Sequence, residues 1–323
     1  MKILAVDDDI FILELLSIMS ARAGFTNIST ATSGMIALGM INTSDVPFDC
    51  LLIDIGMPQM DGIELCAIIR KTPGYEKTPI TMLTATAEKS YIDRAFHAGA
   101  TDYANKPFDI VELHARLQKT RELITAKENE TSSDVSMANS NPNSLHGHSF
   151  DLGDKIEVGG IQRLIEYNVL SNYLAQLSHS GVAMSQVVAV KIDQIKKIYA
   201  QASSAEFYYM LSEVAASITS AFVQNSSMMA YAGNGTFVVI LNKEEMQPSS
   251  SLEHEIQSLV DSKIVTYDNS ELMGINVSVG NPIRAGVGSR QLQTFDRAIG
   301  RVEVRSMSKN ADPKNLGISL VGT

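Results

Sequence analysis

The sequence lacks the features of disulfide-rich, DNA-binding and membrane-spanning proteins. It has two cysteines, Cys50 and Cys66, and neither has metal-like spacing or a clustered histidine, so we expect two buried thiols. Its 26 basic residues are outnumbered by 36 acidic ones, and no window carries a basic stripe or a helix-turn-helix pattern, so we expect no contact with DNA. Its apolar runs are too short to cross a bilayer, so we expect no membrane contact either.

The start of the sequence does not resemble a signal peptide. The first apolar run leads into Asp7, Asp8 and Asp9 instead of a long apolar segment, and we therefore expect a cytoplasmic protein. A length of 323 residues suits two globular domains. We place a first domain at residues 1–127, a linker at 128–153 and a second domain at 154–323.

The linker is predicted from its composition. The stretch ENETSSDVSMANSNPNSLHGHSF, residues 128 to 150, is poor in large apolar residues and rich in Ser and Asn, which is typical of a flexible or partly helical connection. His146 and His148 could both bind a metal ion, but no third ligand is nearby. We therefore expect them to be solvated linker residues.

The first domain is organised around the stretch LLIDIGMPQMDG, residues 51 to 62. Its apolar start predicts a strand that is buried on both sides, and Asp54 ends that strand. The glycines and the proline that follow predict a turn, which leaves the carboxylate at the carboxyl end of a central strand. Taken alone, an Asp that follows an apolar run is more often a structural cap than a reactive group. The surroundings of Asp54 favour a chemical role, because open parallel sheets place their active sites at this edge.

Strand and helix patterns alternate five times in the first domain. Strands are predicted at residues 2–6, 27–31, 48–54, 79–83 and 101–105, and helices at 10–22, 33–41, 63–71, 88–98 and 109–127. The short connections imply a parallel sheet with helices on both faces. The fold class is therefore α/β, with a five-stranded doubly wound parallel sheet.

Polar residues with complementary chemistry follow four of these strands. They are Asp7, Asp8, Asp54, Thr84 and Lys106. Three carboxylates near one another would repel unless a hard cation bound between them, and Mg²⁺ suits such oxygen ligands. Together with an ammonium and a hydroxyl group, this is the set that phosphoryl transfer to an aspartate requires. We leave Asp9 out, because a helix-capping or solvated acid explains it better.

The first 127 residues resemble the receiver domain of two-component response regulators. The resemblance is carried by VDDD at 6–9, DIGMPQMDG at 54–62, TMLTA at 81–85 and GATDYANKPF at 99–108. It implies a flavodoxin-like sheet of order 2-1-3-4-5. It also implies a phosphoryl group received from a histidine kinase or a phosphotransfer protein, with Mg²⁺ as cofactor.

The resemblance also assigns roles to individual residues. Asp54 corresponds to the phosphoacceptor, Asp7 and Asp8 to the metal-binding pair, and the Gly56 carbonyl group to a further metal ligand. Lys106 corresponds to the lysine that pairs with the phosphoryl group. The two switch residues correspond to Thr84 and Tyr103, and the Tyr103 ring is expected to turn inward on phosphorylation.

The second domain shows a different pattern of elements. Helices are predicted at residues 161–177, 205–223, 252–262 and 291–307, and strands at 186–193, 228–231, 237–241, 274–279 and 316–321. The segment between the second and third strands contains Gly and Asn, which tolerate positive φ and favour a hairpin. We expect a second α/β domain with a mixed, largely antiparallel sheet.

This second domain resembles the GGDEF domain of diguanylate cyclases over about residues 159–323. The resemblance is carried by VVAVKIDQIKKIY at 187–199, AYAGNGTFVVIL at 230–241 and INVSVG at 275–280. The family's signature turn is replaced by the residues GNGTF at 233–237, so both of its acids are missing. Lys191 stands where the family has a metal-binding Asp, while Asp193 retains the second acid.

The positions that would bind nucleotide differ as well. Tyr199 and Tyr208 stand at the guanine-reading positions, and Glu303 stands near the phosphate-binding lysine. We therefore expect no enzyme activity and an output through an unknown protein partner or through a homodimer formed on phosphorylation. Two alternatives remain open, namely a cyclase with unusual ligands and an effector that binds cyclic di-GMP or GTP without turnover.

Overall fold

The computed structural model describes residues 1–85, 88–134, 148–159, 161, 163–179, 185–222, 227–241, 247–284 and 291–311. The chain divides into two compact units, Met1–Asn139 and Ser140–Thr323. In the part of the chain that is described, no helix is long and apolar enough to cross a bilayer.

Among its described residues, the first unit contains five strands and five helices in alternation. They are β1 (Ile3–Val6), α1 (Ile10–Arg22), β2 (Ile28–Ala31), α2 (Gly34–Thr43), β3 (Cys50–Asp54), α3 (Gly62–Ile69), β4 (Ile80–Thr84), α4 (Lys89–His97), β5 (Asp102–Asn105) and α5 (Ile110–Asp134). The strand order is β2-β1-β3-β4-β5 and every pair is parallel. The predicted doubly wound sheet is confirmed. Every residue of β1, β3 and β4 is buried, as apolar runs covered on both faces require.

Helix α5 is longer than predicted. It ends at Asp134 rather than near Lys127, so that residues 128–134 of the predicted linker are helical. Ser, Asn and Thr are weak helix formers but do not stop a helix, and the sequence has no Gly or Pro between residues 110 and 141. Composition alone therefore placed this boundary too early.

The second unit combines an antiparallel sheet with five helices among the described residues. Its elements are α6 (Tyr167–His179), β6 (Gln186–Ile192), α7 (Ile195–Gln201), α8 (Ser204–Ala221), β7 (Ser227–Tyr231), β8 (Thr236–Leu241), α9 (Ser249–Asp261), β9 (Val277–Val279), β10 (Ile283–Arg284) and α10 (Gln291–Ala311). The strand order is β10-β6-β8-β7, with β9 also paired to β6. The predicted hairpin is formed by β7 and β8. The strand predicted at 316–321 lies outside the described residues.

Two predictions at the start of the second unit were wrong. The helix expected from residue 161 begins at Tyr167, because Arg163 has a left-handed φ of 69° and its carbonyl group accepts a hydrogen bond from the Met229 amide. The linker was drawn to residue 153, but Phe150 and Leu152 pack against the core of the second unit.

His148 was also placed wrongly in the solvated linker. Its ring stacks on Tyr199 with 3.9 Å between ring centroids. Large side chains alternate at positions 148, 150 and 152. Such alternation places the large side chains on one side of an extended segment and indicates packing. The Ser- and Asn-rich composition nevertheless favoured a linker. His146 lies outside the described residues.

Candidate functional site

Three carboxylates meet at the carboxyl ends of two adjacent strands. Asp54 ends β3, and Asp7 and Asp8 follow β1, which pairs with β3 in parallel. One carboxylate oxygen from each of the three lies within 4.8 Å of the others. Asp7 and Asp54 are buried at 1% and 6% exposure, while Asp8 is exposed. The sheet thus brings the predicted acids together with one side open to solvent.

Lys106 offsets part of the charge of the two buried acids. Its ammonium group lies 2.5 Å from Asp7 Oδ2 and 2.5 Å from Asp54 Oδ1. Burial disfavours the ammonium form, but the hydrogen bonds and charges of Asp54 and Asp7 outweigh it and raise the pKa of Lys106. Burial also raises the pKa of Asp7, against the lowering effect of Lys106. A further cation among these acids would favour the carboxylate form of Asp7.

The loop after β3 fixes the second oxygen of Asp54. The Gly56 amide donates a hydrogen bond of 2.7 Å to Asp54 Oδ2. Further along the loop, a Cβ atom at Gly62 would lie 2.0 Å from the Asp54 carbonyl oxygen, so that only glycine fits there. Gly62 therefore lets the loop fold back over the strand, and Asp61 caps α3 by accepting a hydrogen bond from the Glu64 amide.

The predicted switch pair lies on the neighbouring strands. Thr84 ends β4 and is buried, and its side chain shares a hydrogen bond with the hydroxyl group of Tyr103 on β5. Burial raises the pKa of Tyr103. The ring already lies fully inside the unit, so the expected inward turn does not describe this structure.

Asp9 takes the capping role proposed for it. Its side chain accepts a hydrogen bond of 2.8 Å from the Phe11 amide at the start of α1. Its own amide donates to Asp7 Oδ1 at 3.0 Å. Asp9 therefore supports the site through its backbone but is not part of the carboxylate cluster.

The cluster fits a hard divalent cation. Three carboxylates offer the oxygen ligands that Mg²⁺ prefers. Asp8 is exposed, so the solvent side of the cluster has room for the water molecules that Mg²⁺ keeps as ligands. Asp7, Asp8 and Asp54 would hold the ion, and the Gly56 carbonyl group remains a predicted fourth protein ligand. The bound ion would neutralise negative charge where an incoming phosphoryl group meets the carboxylates.

Residues 3–118 match the family model of the response regulator receiver domain. The chain is 35% identical over 124 residues to the chemotaxis protein CheY of Pseudomonas aeruginosa, a match that covers 38% of this chain and 98% of that protein. The chain belongs to the response regulator family.

Other similar proteins differ in how much of their own length this chain covers. The response regulator MprA of Mycobacterium ulcerans is 38% identical over 136 residues, which cover 42% of this chain and 56% of MprA. This chain thus spans about half the length of that relative. The solved structure of Vibrio cholerae CheY4 has 34% identity and a TM-score of 0.35 and covers 37% of this chain and 97% of its own. Receiver domains bind Mg²⁺ at an acidic pocket and receive phosphoryl groups from histidine kinases.

In the second unit, Lys191 reaches the hairpin turn between β7 and β8. Its ammonium group donates to the Asn234 carbonyl oxygen at 3.0 Å and lies 3.3 Å from Thr236 Oγ1. Burial lowers the pKa of Lys191. The turn runs through three consecutive left-handed residues, Gly233, Asn234 and Gly235. A cation thus holds a turn that contains no acid, and among the described residues of this unit no group of three His, Cys, Asp or Glu could hold a metal ion.

Sequence reasoning missed a buried polar network next to this turn. Asp193, at 2% exposure, accepts hydrogen bonds from Ser278 Oγ at 2.9 and 3.0 Å and from the Ser306 hydroxyl group. The Lys309 ammonium group lies 3.6 Å from Asp193 and 3.4 Å from Glu253. Asp193 therefore joins β6, β9 and α10. The spacing of these residues along the chain gives no sign of the network.

Proposed function

We propose that this response regulator accepts a phosphoryl group on Asp54 from a histidine kinase or a phosphotransfer protein. An oxygen of the Asp54 carboxylate attacks phosphorus, the P–N bond of the donor phosphohistidine breaks, and the histidine nitrogen keeps the electron pair. The observation that carries the proposal is the environment of Asp54, with Lys106 on one oxygen, the Gly56 amide on the other and two further acids beside it. Lys106 would follow the phosphoryl group and neutralise its oxygens.

A small phosphodonor tests this proposal without the cognate kinase. The full chain incubated with acetyl phosphate and Mg²⁺ should gain one phosphoryl group, as measured by intact mass, and a chelator added beforehand should prevent the gain. Phosphorylation that is equally fast in the chelator would contradict the metal-binding role of the acid cluster.

We further propose that the second unit is a degenerate GGDEF-like output domain without catalytic activity. Two features support this proposal. Lys191 stands in place of a metal-binding carboxylate, and its contact with Asn234 occupies the space between β6 and the turn. The turn itself offers no acid, and two Mg²⁺ ions could not be held by an ammonium group, a glycine and a threonine.

The phosphorylated chain should make no cyclic di-GMP from guanosine triphosphate. Product formation is to be measured with the purified full chain and with Lys191→Ala, which removes the ammonium group without supplying a metal ligand. Product from the wild type that disappears in Lys191→Ala would favour the alternative of a cyclase with unusual ligands. Heat released on mixing with cyclic di-GMP or guanosine triphosphate, without product, would favour the nucleotide-binding alternative.

The output should depend on assembly into a homodimer or on contact with a protein partner. A phosphoryl group on Asp54 would attract the Thr84 hydroxyl group away from Tyr103 and draw Lys106 away from Asp7. Thr84 ends β4, Tyr103 lies on β5 and Lys106 directly follows β5, so the changes reach the face formed by α4, β5 and α5. Helix α5 continues into the segment that leads to the output unit, which makes this face a suitable place for a phosphorylation-dependent dimer.

The dimer is tested with a beryllofluoride mimic of the phosphoryl group. Light scattering on the full chain should show a doubled mass with Mg²⁺ and beryllofluoride, and Thr84→Val, which keeps the side-chain volume but removes the hydroxyl group, should stay closer to the monomer. An unchanged wild-type mass, with the mimic shown to be bound, would exclude the homodimer and leave a different protein as the partner.

A further inference from the structure

Residues 148–154, which we call the strap, lie across α7 and α8 of the second unit. The strap forms neither helix nor strand, and its residues alternate between half-buried positions at 148, 150 and 152 and exposed ones at 149, 151 and 153. It follows the segment that leads from the receiver. The strap thus presents one face to the unit and the other to solvent, as a bound peptide does.

The first contact of the strap is made by His148. Its ring stacks on Tyr199 with centroids 3.9 Å apart and planes 16° from parallel. His148 Nε2 lies 2.7 Å from the Tyr199 carbonyl oxygen, and Nδ1 lies 3.3 Å from Ser204 Oγ. A neutral imidazole with its proton on Nε2 satisfies both contacts, donating to the carbonyl group and accepting from the hydroxyl group.

The second contact is an aromatic pocket that holds Phe150. The Phe150 ring lies against three rings of α7 and α8, with centroid distances of 5.9 Å to Tyr199, 5.7 Å to Phe207 and 5.1 Å to Tyr208. The Tyr199 hydroxyl group also donates a hydrogen bond to the Phe150 carbonyl oxygen. Such tilted and edge-on ring pairs add specificity to the burial of apolar area.

The third contact joins the strap to the hairpin turn. The backbone amide of Asn234 donates a hydrogen bond of 2.8 Å to the Leu152 carbonyl oxygen. A Cβ atom at Gly233 would lie only 2.3 Å from the Gly153 carbonyl oxygen, so the absence of a side chain there lets the two backbones meet. The turn thus receives the backbone of the strap at close range.

We propose that the cleft between α7, α8 and the hairpin turn is a peptide-binding site and that the strap is its built-in, displaceable ligand. The site recognises an extended segment with two aromatic rings two residues apart, which in this chain are those of His148 and Phe150. Ring contacts, the packing of Phe150 and Leu152 at the edge of the core and single backbone hydrogen bonds hold the strap, whereas β6, β7 and β8 are joined by continuous ladders. Local opening of the strap therefore requires less free energy than unfolding of the sheet.

The inference goes beyond the proposed function and does not depend on phosphorylation. It also gives a reason for the proposed lack of nucleotide chemistry, because the strap packs on Tyr199 and Tyr208, which stand at the guanine-reading positions of the resemblance. An opened strap would expose both rings together with the turn.

Amide hydrogen exchange in the full chain tests the strap directly. The backbone amide of Asn234 donates a hydrogen bond to the strap, whereas the backbone amide of Gly235 donates one to the Tyr231 hydroxyl group. Gly235 therefore serves as an internal control. Phe150→Ala should accelerate exchange at Asn234 by about 10- to 100-fold, the range expected from the lost burial of a phenylalanine side chain, with little change at Gly235. Ser149→Ala, which changes an exposed strap residue, should leave both rates unchanged.

A peptide added in trans decides whether the cleft is a binding site. A synthetic peptide of residues 146–156 should restore the protection of Asn234 in Phe150→Ala, and the same peptide with alanine in place of its phenylalanine should not. Equal acceleration at Asn234, Gly235 and the amides of β8 would show that the strap is part of the cooperative core and would overturn the proposal. Failure of the peptide to restore protection, or equal effects of the two peptides, would overturn it as well.

Discussion

The Asp54→Asn variant should not accept a phosphoryl group from acetyl phosphate in the presence of Mg²⁺. The amide keeps the size of the side chain and can still accept the Gly56 hydrogen bond, but it has no carboxylate oxygen to attack phosphorus. The expected effect is complete loss of the phosphorylated species in intact-mass measurements. A thermal unfolding curve that matches that of the wild type would show that the fold is retained.

Asp9→Asn is the matched control for this prediction. It makes the same chemical change close to the cluster, and asparagine caps a helix as well as aspartate does, so α1 should be preserved. Asp9→Asn should therefore be phosphorylated to the same extent as the wild type. Phosphoryl label that remains on Asp54→Asn would show that another residue is the acceptor.

Much of the receiver could be predicted from its sequence because its signals are local. Buried parallel strands give continuous apolar runs, and parallel topology places every strand end at the same edge, so the residues after the strands must meet. Asp7, Asp54 and Lys106 were found in this way, and the structure brings them within direct contact. The buried position of the Tyr103 ring could not be predicted from the sequence, because it depends on a hydrogen bond between Tyr103 on β5 and Thr84 on β4.

The second unit was harder to predict because its important contacts link distant parts of the chain. The strap meets residues about 50 to 80 positions away, and composition made it look like a linker. Asp193 bonds to residues 85 and 113 positions away, and neither serine stands out in the sequence. Lys191 could be placed at the turn because a paired hairpin and an adjacent strand constrain where that residue lies.

Removal of the Asp193 carboxylate should cost the second unit more stability than any surface substitution. Asp193→Ala leaves the hydroxyl groups of Ser278 and Ser306 in the interior without this acceptor and deprives Lys309 of one of its two acidic neighbours. Loss of one partner from a buried, hydrogen-bonded charge pair destabilises a protein by about 3–5 kcal/mol. We expect a loss in this range for the unfolding of the second unit.

Denaturant unfolding of the full chain measures this loss. Phosphorylation of Asp54 shows separately whether the receiver remains folded. Asp193→Asn keeps one acceptor oxygen for the serines and loses the charge, so its cost should be smaller, about 1–3 kcal/mol. Asp261→Ala, at an exposed position near the end of α9, should change stability by no more than about 0.5 kcal/mol. Equal losses for Asp193→Ala and Asp261→Ala would contradict the structural role of the network. A large loss that leaves phosphorylation intact would assign Asp193 to holding β6, β9 and α10 together, because its carboxylate accepts hydrogen bonds from Ser278 on β9 and Ser306 on α10.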